Sequence, residues 1–171
     1  MKKYSLEIIV FVSGAVVMVY ELVGSRIFAP YLGTSLVVWT SLIGVILGSL
    51  SLGYWWGGRL ADKKPQAQIL AFVLLGAAFF VGSTVFFQAS VLFYLQEVFT
   101  DLRFSSILGA VVLFAPASVL FGMVSPYTVK LKLEKLSLSG ATVGQLYAIS
   151  TIGSIVGTFA GGFFLVPFLG P

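Results

Sequence analysis

Five long apolar runs, at about 6–23, 36–56, 69–91, 107–129 and 143–169, leave this chain almost no way to fold in water. A helix needs ~20 such residues to cross a hydrocarbon core of ~30 Å, and each run approaches or exceeds that length. Only 9% of the residues are charged and 58% are hydrophobic, whereas about a quarter of a soluble domain is charged. A soluble helical bundle would still need a charged outer face on every helix, and these runs have none. The alternation of a membrane β-strand is also missing, and in lipid the backbone must be satisfied within each span. The expectation is an all-α integral membrane protein, one domain over residues 1–171, built as a bundle of about five transmembrane helices.

The charge that remains marks the turns. Six of the ten basic residues fall in two stretches, 57–65 and 130–135. Lys2 and Lys3 precede the first run, Arg59, Lys63 and Lys64 follow the second, and Lys130, Lys132 and Lys135 follow the fourth. The other side receives only Arg26 and Arg103. Basic loops stay in the cytoplasm, so the N-terminus is expected on the cytoplasmic side of a cell or inner membrane, and five spans put the C-terminus outside. The first run is too long for a signal-peptide core and carries Glu21, so a retained helix is expected. The net charge of +4 suits anionic headgroups beside the loops; the bilayer is the expected partner, and no nucleic-acid surface is. With no cysteine and no histidine, thiol-ligated metal and the usual proton shuttle are out of reach, and no cofactor is expected.

Short connections suggest that consecutive spans pack as antiparallel neighbours. The links at 24–35 and 96–106 are expected to lie outside, with Tyr20, Tyr54, Trp55 and Trp56 in aromatic belts at the membrane boundaries. Close helix contacts should run through small residues: Gly44 and Gly48, Gly53 and Gly57, and the ladder Gly153, Gly157 and Gly161. The same glycines also suit a transport path. Pro116, inside the fourth run, should bend it by removing a backbone bond, and Pro126 should shape its cytoplasmic exit.

Glu21 carries the chemistry that can be read here. An ionisable group in a span is costly and faces protein or a water-filled cavity. Two readings stand: a proton- or cation-sensitive site near the outer mouth, or an ion pair with Arg26 that pins the first external turn. Five residues is a poor spacing on a straight helix, so the pair needs a break at Gly24-Ser25. Arg59 and Asp62 sit in a glycine-rich turn, where Asp62 can cap a helix end and Arg59 can snorkel to lipid phosphate. Glu7 reads as an ordinary surface acid. Nothing forms a nucleophile–base pair, a metal cluster or a phosphate loop.

Two sets of residues resemble a known family. Glu21, Gly24, Arg26, Pro30, Tyr31, Gly33 and Trp39, running on to Gly44, Gly53-Tyr54 and Gly57-Gly58-Arg59-Leu60-Ala61-Asp62, form the first. The second is Gly122, Ser125-Pro126-Tyr127, Gly144, Tyr147, Ser150-Thr151, Gly153-Ser154 and Gly157-Thr158. Together they resemble the N-terminal membrane domain of the fused major-facilitator/spermidine-synthase-like proteins, over nearly the whole chain. The stretch 58–63 also resembles the loop between the second and third helices of major facilitator transporters. The resemblance implies half of a major-facilitator bundle. It makes Glu21, Arg26, Tyr31 and Trp39 candidates for contact with substrate or ion, and Arg59 and Asp62 candidates for a gating loop. Members of the family carry an aminopropyltransferase domain after the membrane part, whose nucleotide loop and catalytic acid have no counterpart in these residues. The expected function is a transporter-like membrane module, for a polyamine or another small cation, completed by a homo-oligomer or a second membrane or synthase-like chain. The alternative is an anchor that holds a soluble aminopropyltransferase at the bilayer without transport. An enzyme is not expected.

Overall fold

In the computed structural model, residues 4–133 and 139–169 are described, and within them every regular element is helical. The helices are α1 (Ser5–Leu32), α2 (Leu36–Lys63), α3 (Ala67–Val98), α4 (Leu102–Leu113), α5 (Ala115–Leu133) and α6 (Ser139–Ala160). A π-helical turn (Gly161–Leu165) and a short α7 (Val166–Leu169) continue α6. Four of these segments are each long and apolar enough to cross a membrane: α1, α2, α3 and Gly140–Phe168. The bent pair α4–α5 makes a fifth. Their outer faces carry large apolar side chains such as Phe72, Phe79, Phe86, Phe159 and Phe163, as hydrocarbon surroundings require.

The helices outrun the apolar stretches that predict them. At 28 residues, α1 and α2 are each roughly 42 Å long, well over the ~30 Å hydrocarbon core. The supposed turn at 57–65 is therefore mostly helix, and only 64–66 connect α2 to α3. Likewise the expected link at 24–35 shrinks to 33–35, and that at 96–106 to 99–101. Gly33, at φ 78°, ends α1 in a conformation that side chains disfavour. Ser35 then caps α2 by accepting the Val38 N–H at 3.4 Å. Asp101 caps α4 in the same way, accepting the Arg103 N–H at 2.8 Å.

Consecutive helices are not the main neighbours. The most extensive packing joins α2 to α5 and α1 to α6, pairs of non-consecutive helices that run parallel, in place of the consecutive antiparallel neighbours expected. Although a three-residue link joins them, α2 and α3 both pack on α5 far more than on each other. Small residues explain the choice. A Cβ at Gly53 would collide with Val119 O and the Gly122 Cα, and one at Gly122 with Leu50 O. Gly57 lies against the Met123 backbone. In the other seam Gly14 meets Ser150 O, Gly153 meets Phe11 O, and Gly157 meets Ala15. Backbones this close gain dispersion contacts that lipid cannot replace. At Gly161 a Cβ would meet the side chains of Val19 and Leu22 first, and the Val19 backbone only at 3.6 Å, so the second seam loosens there. Gly44 and Gly48 differ: both are exposed with nothing within 4 Å of a would-be Cβ, so they stitch no helices within this chain.

Pro116 acts where expected. The fourth span bends by 55° between α4 and α5, and Pro116 sits in the first turn of α5, where a missing N–H costs little. The Leu113 carbonyl at the bend accepts from the Tyr20 hydroxyl at 2.9 Å and from Thr84 at 2.8 Å. Phe114 is fully buried, with its ring centroid 4.7 Å from Tyr20 and 5.8 Å from Phe28. Tyr20 is thus a buried brace and not a belt residue, whereas Trp55 and Trp56 stay exposed. Pro126 interrupts nothing visible, since α5 runs through it to Leu133.

Candidate functional site

A cavity of about 210 Å³ lies where the two parallel pairs meet. From α1 come Ser13, Gly14, Val17, Met18 and Glu21, which recur every three to four residues and therefore share one face. Ser150 and Ser154 come from α6, Leu47, Leu50 and Tyr54 from α2, and Phe121 and Ser125 from α5. One wall is polar and the facing wall largely apolar. Glu21 is half-buried and is the one carboxylate in the lining. The Ser154 hydroxyl donates to Gly14 O at 3.2 Å, so one of the serines also ties the walls together.

The other candidates scatter. Arg26 is exposed, and Tyr31 and Trp39 are half-buried elsewhere; none of the three lines the cavity. Tyr31 packs on the apolar core cluster to which Phe28 and Leu42 belong. α1 passes through Gly24 and Ser25 without a break, because Gly24 is held against the Phe114 ring and Leu42. The break that would have paired Glu21 with Arg26 is absent, and among the described residues no ion pair joins them.

Arg59 and Asp62 are also apart from the cavity. The Arg59 guanidinium stacks on the Trp55 ring, 3.5 Å from its centroid, a contact that favours the cation. Asp62 reaches Lys130 Nζ at 2.9 Å, across the ends of α2 and α5. Beside it the Tyr127 hydroxyl donates to Lys64 O and accepts the Gln66 N–H at 3.1 Å, closing the 64–66 link onto α5. Glu7 is more than a surface acid. It meets Lys132 Nζ at 2.9 Å, with side chains only 15% and 12% exposed, and Lys132 also donates to Gln145 Oε1 at 3.1 Å. One lysine thus joins α1, α5 and α6 at the end of the bundle that carries Lys63. A lysine in the last turn of one helix facing an acid in the first turn of another was the signal available in the sequence; their separation of 125 residues hid it.

The cavity can hold a small cation by one carboxylate and several hydroxyl oxygens. Its volume is below the ~300–1,000 Å³ of pockets that take drug-sized ligands. Among the described residues no group of three or more acids is placed to hold a metal ion. No protein-family model, curated protein or solved structure matches the chain.

Proposed function

We propose that this chain is a transporter-like membrane module that binds a small organic cation in the Glu21 cavity. The observation that carries the reading is a carboxylate and four serines lining one cavity inside an otherwise apolar bundle. Such a group is costly to keep in a span, and it persists where it has a ligand or a water-filled space to face. The resemblance to the membrane part of the spermidine-synthase-like proteins supports an amine as the ligand, polyamines included. It also supports a half-bundle that works with a second copy or a partner chain. The positive-inside distribution of Lys and Arg supports a cytoplasmic N-terminus in an inner membrane.

The test is uptake of labelled putrescine or spermidine by vesicles reconstituted with the purified protein. Glu21→Gln removes the charge and keeps the shape, so uptake should fall at least about tenfold, the factor that roughly 1.4 kcal/mol of lost binding produces. Vesicles that take up no amine, or Glu21→Gln vesicles that match the wild type, would overturn the proposal and leave a non-transporting anchor. Orientation is tested separately: Lys63 should resist impermeant amine reagents applied to intact cells.

A further inference from the structure

A second concavity, on the outer surface of the bundle, is independent of the Glu21 cavity. It is a trough of about 490 Å³ between α2 and α4. Leu36, Val37, Gly44 and Val45 of α2 and Ile107 of α4 give it an apolar lining. Gly44 forms part of the floor, and the Ser41 hydroxyl is turned back onto Val37 O at 2.8 Å. The one charged residue in the lining is Arg103, in the first turn of α4.

The order of these residues decides what fits. α2 and α4 both begin at the same end of the bundle, so Leu36 and Arg103 mark the boundary end of the trough. Gly44 and Val45 lie deeper, roughly 13 Å along α2 from Leu36, and Ile107 about 6 Å along α4 from Arg103, at 1.5 Å per residue. The trough is thus cationic at the membrane boundary and apolar toward the midplane, with its open side on a surface of exposed Leu and Val side chains. Arg103 is exposed and, among the described residues, in no ion pair; the neighbouring Asp101 carboxylate is engaged by the Arg103 backbone N–H. A phospholipid has the same polarity profile, anionic phosphate outermost and hydrocarbon inward. We propose that the trough seats one anionic phospholipid, an acyl chain lying along α2 and α4 and its headgroup held by Arg103.

Gly44 makes the test clean. Because nothing lies within 4 Å of its would-be Cβ, Gly44→Leu fills the trough without a clash inside the fold. The full chain is equilibrated in mixed micelles with equimolar phosphatidylglycerol and phosphatidylcholine, and retained lipid is counted by native mass spectrometry. Wild type should keep one phosphatidylglycerol with roughly fivefold preference, the factor for about 1 kcal/mol from one arginine beside anionic lipid. Arg103→Gln should erase the preference while a lipid is still retained. Gly44→Leu should abolish retention with the melting temperature in phosphatidylcholine unchanged. Equal retention of the two lipids by wild type would overturn the proposal. So would a preference that survives both substitutions, or a dimer that Gly44→Leu splits, which would make a second copy the occupant.

Discussion

Within the pairs α1–α6 and α2–α5 the backbones touch; between the pairs, side chains keep them apart. Gly53, Gly122, Gly153 and Gly157 each press on a carbonyl or Cα of the partner helix. Across the pairs, Gly24 of α1 meets the tips of Phe114 and Leu42, the apolar side chains of α1 interlock with those of α2 and α5, and Lys132 adds a polar tie to Glu7. Backbone contact admits no rotamer change, whereas a lysine or a ring tip can move. The Glu21 cavity lies along the more adjustable boundary, where close packing stops. A polar group survives in this bundle because two rigid pairs do not fit together completely.

The sharpest attack on that contrast is to thicken a seam. Gly53→Leu or Gly153→Leu should cost about 3 kcal/mol or abolish folding, because the colliding atom is backbone and cannot turn aside. Gly48→Leu, on an open face, should stay within about 0.5 kcal/mol. Melting followed by tryptophan fluorescence in detergent compares them, and a tolerated Gly153→Leu would remove α1–α6 as a rigid pair. Next is the bend. Thr84→Val and Tyr20→Phe each take one donor from the Leu113 carbonyl and leave the other, so each should cost about 1 kcal/mol by the same assay and the double variant about 2 kcal/mol or more. Equal tolerance of the double variant would mean that the bend needs no brace.

Smaller effects grade the polar ties. Glu7→Gln should destabilise by about 1 kcal/mol, since it leaves a largely buried lysine without its counter-charge among α1, α5 and α6. Asp62→Asn removes a far more exposed pair and should cost no more than about 0.5 kcal/mol. Reversal of that order in thermal unfolding would show that the joint between the pairs is not at Lys132.

Much of the architecture was open to reading in one dimension. Helical spans, their approximate positions and the bend at Pro116 follow from runs of apolar residues and one missing N–H. The membrane reading of the chain rests on the same runs. Glu21 stood out as costly wherever it lay. Its company did not: Arg26, Tyr31 and Trp39 looked close because they follow it in sequence, but an unbroken α1 carries Arg26 and Tyr31 away and Trp39 belongs to α2. Ser13, Ser125, Ser150 and Ser154 share its cavity; three of them belong to the motifs of the resemblance, but nothing in their order ties a serine of α5 or α6 to an acid of α1. Helix ends were misjudged for a related reason. Charged residues mark the edge of the hydrocarbon, and a helix has no need to stop there.

Composition and order alone determined that this chain forms apolar helices with its basic residues gathered at their ends, because lipid leaves a backbone few alternatives. Only the tertiary structure decided which helices pair. Glycine at 44 and glycine at 53 read the same in a sequence, yet one faces outward and the other a carbonyl of α5. The difference arises from the rotation of each helix about its axis, and that is set by all its neighbours at once.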